Sequence, residues 1–215
     1  MRILVINPNS TAVMTARVAA QLQIHLGPLG HILPHTASDG PPVIATQPAF
    51  GEAAQTASDI LQNALRQGEL FDKVLLACFG DPGLEAMRLI TKRPVIGLAE
   101  ASMQVAECMN KPYAVVTAGA AWEAVLMGRF SQWGASPLFC GVQVISGTGL
   151  DVFNDPLAAL PAVQHAIDAA RHAGAEHIIL GGAVFAGYKA AMQKCNIDTR
   201  GLLDCVKCAA DAMLG

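Results

Sequence analysis

The residue whose type and position point most directly to chemistry is Cys78. It follows the apolar run Val74–Ala77 and precedes a glycine-containing turn, Phe79 to Gly83, that leads into a helical pattern. A thiol just before a helix N-terminus can have a lowered pKa, and the resulting thiolate is a nucleophile and a base. The alternative is a buried thiol that serves as a small apolar side chain, because free cysteine is among the most buried residue types.

Three further segments place small and polar residues directly after apolar runs. In parallel sheets, ligands bind beyond the carboxyl ends of the strands, where helix N-termini direct N–H groups into a crevice. Ser10 or Thr11 could cap the helix that follows the first segment, whose N–H groups could bind a carboxylate. Together with the Cys78 turn, the segments that predict this crevice are Asn7-Pro8-Asn9-Ser10-Thr11, Thr117-Ala118-Gly119-Ala120 and Gly181-Gly182-Ala183-Val184.

The elements that must position these residues alternate along the chain. Short apolar runs, which predict strands, occur at 3–6, 74–78, 95–98, 113–117, 143–146 and 178–180. Amphipathic stretches, which predict helices, occur at 12–26, 83–90, 101–109, 122–133 and from 188. This alternation is typical of an α/β fold built from parallel βαβ units. Because similar strand ends recur in both halves, we expect two similar lobes that face one another.

The boundaries of these lobes follow from the same pattern. We expect the first lobe at 1–98 and the second at 99–198. The final stretch, 199–215, has apolar residues at helical spacing and is expected to pack back on the first lobe. Residues 27–51 contain most of a loop rich in glycine and proline, including Pro41-Pro42 and Gln47-Pro48, that could cover a site.

The composition of the chain argues against several classes of partner. Of the 215 residues, 53% are apolar and 14% are charged, and the formal net charge is −3. Nucleic acids and anionic membranes require clustered Lys and Arg, so neither is an expected partner. The chain opens on a strand-like run without a charged leader and long apolar segment, so we expect a cytoplasmic protein. The abundant alanine is compatible with a subunit interface, and a homo-oligomer is expected.

The remaining candidate ligands do not form a metal or nucleotide motif. The six cysteines are expected to be reduced, because the chain is neither small nor secreted-looking. Cys205 and Cys208 have metal-like spacing, but they lack a second pair or a nearby histidine cluster. The histidines show no metal spacing with a carboxylate, and Gly147-Thr148-Gly149 lacks the full glycine pattern and lysine of a phosphate loop. Neither a metal nor another cofactor is expected.

Four segments together resemble the Asp/Glu/hydantoin racemase superfamily, most closely its hydantoin racemase branch. The segment Cys78–Leu84, Cys-Phe-Gly-Asp-Pro-Gly-Leu, is the most specific, and the start Ile3–Thr11 supports it. Pro94–Ala101 and Ile179–Ala183 complete the set, in the family's order and over nearly the whole chain. The resemblance implies two pseudo-symmetric α/β lobes, each with a mainly parallel sheet flanked by helices, an active site between them, and no metal, pyridoxal phosphate or nucleotide.

The resemblance also implies a mechanism. In that family a cysteine from each lobe flanks a carbon next to a carbonyl or carboxylate; one thiolate removes the α-proton and the other thiol protonates the opposite face. Cys78 would be the catalytic thiol of a cofactor-independent racemase or isomerase that acts on an amino-acid derivative, a hydantoin or a related carbon acid. The implied substrate-binding residues are Asn7, Asn9, Ser10, Thr11, Phe79, Gly80, Thr117, Ala118, Gly182 and Ala183.

One position departs from the family pattern. Where the family has Gly-Cys-Ala, this chain has Gly181-Gly182-Ala183, and Gly182 cannot be an acid or a base. Two-thiol racemisation then lacks its second proton donor, unless Tyr188, a residue of the 27–51 loop or a trapped water replaces it. Two alternatives stay open: a one-cysteine decarboxylase of a substituted malonate, as the superfamily's arylmalonate decarboxylases are, and a ligand-binding relative without turnover. Those decarboxylases keep the cysteine of the other lobe, so protonation here would come from the opposite face.

Overall fold

Two four-stranded parallel sheets form the frame of the protein. The computed structural model describes residues 1–215. The first sheet contains β1 (Arg2–Asn7), β2 (His31–Thr36), β3 (Lys73–Leu76) and β4 (Val95–Gly97), in the order β2-β1-β3-β4. The second contains β5 (Tyr113–Ala118), β6 (Phe139–Ile145), β7 (His177–Leu180) and β8 (Leu202–Asp204), in the order β6-β5-β7-β8. The strand order repeats from one sheet to the other, which confirms the α/β fold with two pseudo-symmetric lobes.

Helices follow most strands and cover the sheets. They are α1 (Ala12–Leu26), α2 (Gln47–Arg66), α3 (Leu84–Ile90), α4 (Leu98–Cys108), α5 (Trp122–Gln132), α6 (Gly149–Asn154), α7 (Leu160–His172), α8 (Tyr188–Lys194) and α9 (Cys205–Leu214). Short 3-10 turns occur at Gly27–Leu29 and Ala183–Phe185. None of these helices combines the length and the apolar character that a membrane crossing needs.

Two segments differ from the expectation. The loop expected at 27–51 is irregular mainly over 37–46, because it also contains the edge strand β2 and the start of α2. Strand β2 is half-buried and contains Pro34, which an edge strand tolerates, so it lacks the apolar run of a central strand. The terminal helix begins at Cys205 rather than 199, because Leu202–Asp204 form β8. Helix α9 lies against α1, α4 and β4, and the division at residue 98 stays a prediction.

The buried side chains of the first sheet are divided between two hydrophobic cores. Ile3 and Val5 belong to a core of 45 residues that includes the second sheet and α1, α4 and α9, whereas Leu4 and Ile6 belong to a core of 11 residues with α2 and α3. This alternation follows the two-residue period of a strand. Ala99, Ala101 and Ala106 of α4 and Ala209 and Ala210 of α9 are buried in the larger core, so part of the alanine surplus is used inside the chain. The homo-oligomer stays a prediction.

The turn after β3 is fastened to α4 by a buried carboxyl group. Asp81 is fully buried, and its oxygens accept the N–H groups of Ala99 at 3.1 Å and Glu100 at 2.8 Å. These are donors of the first turn of α4, which have no partner within the helix. A Cβ atom at Gly97 would overlap the Asp81 carboxylate, so this position requires glycine. Asp81 is thus a tertiary helix cap three residues beyond Cys78.

We predict that Gly97→Ala destabilises the protein by about 1–3 kcal/mol, because the added methyl group must displace the carboxylate from the α4 N–H groups. The matched control is Gly51→Ala in α2, where a Cβ atom meets nothing within 4 Å. That change should stabilise the helix by up to about 1 kcal/mol. Urea unfolding measures both free energies. Equal effects of the two substitutions would contradict the assigned role of Gly97.

Candidate active site

A cavity lies where the carboxyl ends of β1 and β3 face those of β5 and β7. Seven of the residues expected at the site line it: Asn9, Cys78, Phe79, Thr117, Ala118, Gly182 and Ala183. Four expected residues do not line it: Asn7, Ser10, Thr11 and Gly80. The two lobes therefore bring the predicted segments together, and direct contact with a substrate stays a prediction for the lining residues.

Cys78 lies in the cavity wall with only 7% of its surface exposed. Burial raises the pKa of its thiol, and the negative charge of Asp81 raises that pKa further. The lowered pKa expected from the sequence is therefore wrong for the ligand-free protein. The reason is that α3 begins only at Leu84, and burial outweighs any effect of the helix N-terminus. Near neutral pH the thiol is protonated.

Asn7 and Asn9 form a buried network that orients one amide toward the cavity. The Asn9 Oδ1 atom accepts the Asn7 side-chain N–H at 2.9 Å and the backbone N–H of Thr11 at 2.9 Å. A backbone N–H can only donate, so the acceptor of the Asn9 amide is fixed on this side. The Asn9 Nδ2 atom contacts only the Met14 sulfur, at 3.5 Å, which is a weak acceptor. Asn9 therefore offers a side-chain donor to a ligand, and Asn7 supports it.

Ser10 and Thr11 fasten the loop at 37–46. The hydroxyl of Ser10 donates to the carbonyl of Gly40 at 3.0 Å, and the hydroxyl of Thr11 donates to the carbonyl of Pro42 at 2.7 Å. Thr11 is the N-cap residue of α1, but its side chain makes no capping hydrogen bond. The capping role expected for these residues is wrong, because both hydroxyls bind loop carbonyls instead.

Backbone N–H groups supply further donors at the cavity. Phe79 and Gly182 both line it, and their N–H groups make no hydrogen bond within the chain. The hydroxyl of Thr117 donates to the carbonyl of Gly181 at 2.8 Å, so both groups are already paired within the chain. Gly80, at φ 96, places its backbone against the Trp122 ring, and a side chain there would clash. The walls thus offer donors from both lobes to a carbonyl or carboxylate oxygen.

Known proteins are similar to this chain in sequence and in fold. The profile of the Asp/Glu/hydantoin racemase family matches residues 3–213. The chain belongs to this family. It is 34% identical to a hydantoin racemase of Paenarthrobacter aurescens over 87% of this chain and 80% of the relative, and 32% identical to one of Rhizobium meliloti over 100% and 89%. It superposes on an allantoin racemase from Klebsiella pneumoniae with a TM-score of 0.88 and 27% identity, over 100% of this chain and 86% of that one.

At Gly182, where the sequence resemblance implies a second cysteine, the backbone of this racemase-family chain has an unusual conformation. Gly182 has φ 146 and ψ 143, a conformation that side chains rarely adopt. A Cβ atom there would lie 3.3 Å from Val184 and 3.5 Å from Phe185. Tyr188, considered as a replacement, donates its hydroxyl to the carbonyl of Pro156 at 2.8 Å and does not line the cavity. The loop contributes only Val43 and Ile44 to the wall, and neither can move a proton.

The roof of the cavity was predicted only in part: the loop at 27–51 was expected to cover a site and Val184 belongs to an expected crevice segment, whereas Met14, Trp122 and Gly149 were not foreseen. It is apolar and contains Met14, Val43, Ile44, Trp122, Gly149 and Val184. The Trp122 Nε1 atom donates to the carbonyl of Ile44 at 3.1 Å, so the second lobe holds the loop of the first. An indole at the start of a helix, just beyond a predicted strand end, was the one signal that could have found this contact.

We predict that iodoacetamide alkylates Cys78 at least about tenfold more slowly near neutral pH than the exposed Cys108 and Cys195, because the thiolate is the reactive form and burial suppresses it. The rate at Cys78 should increase with pH through the alkaline range. Mass mapping of a labelling time course measures each site. If Cys78 were labelled first at neutral pH, the protonated state assigned to it would be wrong.

Proposed function

We propose that this chain is a racemase-type isomerase that moves a proton at a carbon next to a carbonyl, with Cys78 as the acid–base group and without a cofactor. The observation that carries the proposal is that Cys78 is the only ionisable side chain on the cavity wall. Membership of a family of racemases supports the reaction type. General acid–base catalysis needs a group within reach of the transferred proton, and this cavity offers one.

The residues that line the cavity favour the binding of a neutral cyclic amide over the binding of a dianion. The cavity wall has no Lys, Arg or His, so no cation would balance two carboxylates. Its donors are the Asn9 side-chain amide and the N–H groups of Phe79 and Gly182. They suit the carbonyl oxygen of a hydantoin-like ring and the enolate formed when its α-proton leaves, where preorganised donors contribute most. The apolar roof would receive the ring substituent.

The mechanism follows from having one thiol. Ionised Cys78 removes the α-proton, the N–H donors hold the enolate oxygen, and the thiol returns a proton to carbon from the same face. The thiol can exchange its proton with solvent before it returns a proton to carbon, so exchange of the α-proton precedes inversion of configuration. Inversion requires either that the intermediate turns its other face to the thiol or that a bound water protonates that face. Because removal of the α-proton requires the thiolate, the exchange rate at a saturating substrate concentration should increase with pH through the alkaline range.

A second candidate is supported by the protonated state of Cys78. In a decarboxylase of a substituted malonate, loss of carbon dioxide forms the enolate, and a neutral thiol then delivers the only proton that is needed. This reaction uses the thiol and not the thiolate, so its rate should be level below the thiol pKa and decrease above it. The two candidates therefore predict opposite trends at alkaline pH.

The proposal predicts α-deuterium incorporation from deuterated water into a 5-substituted hydantoin, with loss of more than about 1000-fold in Cys78→Ala. Incubation with 5-substituted hydantoins, free amino acids and substituted malonates, followed by mass, optical rotation and carbon dioxide, measures all three outcomes. Cys208→Ala is the matched control, because Cys208 is buried in the core and absent from the cavity wall. Exchange that survives Cys78→Ala contradicts the mechanism, and ligand binding without exchange or carbon dioxide indicates a binding protein.

A second thiol at Gly182 tests the one-thiol account. Gly182→Cys and its control Gly182→Ala should each cost about 1–3 kcal/mol, because φ 146 is strained for any side chain. We expect Gly182→Cys to have a higher ratio of inversion to exchange than Gly182→Ala, since a thiol, unlike a methyl group, can protonate the second face. Optical rotation and deuterium content, measured on one sample, give this ratio. A wild type that already inverts as fast as it exchanges would show that another acid–base group exists.

A further inference from the structure

The guanidinium group of Arg129 connects the second lobe to the turn that carries Cys78. Arg129 lies in the last turn of α5. Its Nε atom donates to the carbonyl of Gly80 at 3.1 Å, and its Nη2 atom donates to the carbonyl of Asp81 at 3.2 Å. Nη2 also donates to both carboxylate oxygens of Glu85, at 3.1 and 3.2 Å. One side chain thus holds two consecutive peptide groups of the other lobe.

The turn needs such support because its backbone is strained. Gly80 has φ 96, and Asp81 has φ 55, a left-handed conformation that is unfavourable for a residue with a Cβ atom. Asp81 is held from one side by the N–H groups of α4 and from the other by Arg129. The Trp122 ring packs on Gly80, so α5 contacts the turn through its first residue as well as its last turn. Loss of Arg129 removes one of these supports.

In this conformation the cavity is smaller than a typical ligand pocket. Its volume is ≈ 50 Å³, whereas ligand pockets measure about 300–1,000 Å³. We therefore expect a substrate to enter when the loop at 37–46 or the lobes move apart. The contacts of Arg129 with Gly80 and Asp81 cross between the lobes, so they form only when α5 and the turn are together. The geometry of the Cys78 turn is consequently tied to closure.

We propose that Arg129 is a positioning residue that sets the Cys78 turn in its working geometry when the lobes close. Its planar guanidinium presents donors from two nitrogen atoms, Nε and Nη2, to the two adjacent carbonyl groups, a fixed geometry that the single nitrogen of lysine does not reproduce. The proposal rests on the proposed function only in assigning proton transfer to Cys78. Arg129 does not line the cavity and touches no substrate, so its effect must reach the reaction through the turn.

The test compares Arg129→Met and Arg129→Lys with two control variants. Glu85→Gln removes the ion pair but leaves the two carbonyl contacts. Arg171→Met removes a surface arginine of α7 that donates to the carbonyl of Arg200 at 3.4 Å, away from the site. Two readouts are needed: the alkylation rate of Cys78 by iodoacetamide at about pH 9, which requires no substrate, and kcat and KM for exchange.

We expect Arg129→Met to increase the alkylation rate of Cys78 about tenfold by loosening the turn. It should also lower kcat by about 10- to 100-fold, since small misplacements of a reacting group have effects of this size. KM should stay within about threefold. Arg129→Lys should fall between Arg129→Met and wild type, and both controls should match wild type. If Arg129→Met does not fold, the alkylation rate and the exchange kinetics are both measured on Arg129→Lys.

Two results would overturn the proposal. The first is wild-type alkylation and kcat in the Arg129 variants, which would make the contacts incidental. The second is an equal effect in Glu85→Gln, which would assign the effect to the ion pair and not to the turn. A wild type without exchange on any substrate contradicts the proposed function instead. In that case the alkylation comparison still decides the role of Arg129.

Discussion

The arrangement of the site depends on the hydrogen bonds that the carboxyl group of Asp81 accepts from α4. A buried carboxyl is costly without partners, and the first N–H groups of α4 supply them. Because α4 packs in the core shared by both sheets, this contact ties the Cys78 turn to that core. The same atoms require glycine at position 97, where β4 enters α4. The hydrogen bonds of Asp81 thus join the turn that carries Cys78, the end of β4 and the start of α4.

The position of Asp81 also has an electrostatic effect. Burial raises its pKa to about 7, although the N–H groups of Glu100 and Ala99 lower it. When the carboxyl is ionised, its charge disfavours the thiolate of Cys78. The resting site is therefore a neutral thiol among apolar walls, and its polar character comes from amide donors. In the proposed reaction, these donors would stabilise the negative charge that forms on the substrate.

The sequence predicted the repeating strand–helix pattern, the meeting of four strand ends and the family, because these depend on local periodicity and short motifs. It missed β2, whose half-buried edge and Pro34 hide the strand pattern. It assigned Ser10 and Thr11 to capping, since a local role is readable whereas their partners at Gly40 and Pro42 are about thirty residues away. The pKa of Cys78 was misjudged because burial is a tertiary property. Arg129 and Trp122 were not foreseen, because their partners in the first lobe are remote in sequence.

The larger core bears on how such a chain could have arisen. Its two halves have the same strand order, yet Ile3 and Val5 of the first sheet and residues of the second belong to one continuous apolar interior. A half-length chain with one such sheet would keep α1 in contact with it but would leave in water the apolar surface that the second half covers, and an exposed apolar surface of this kind associates with another copy. A duplicated ancestor would therefore have needed to work as a symmetric dimer. Within a single chain the two halves need not be identical, so Cys78 on one side of the cavity can face Gly182 on the other.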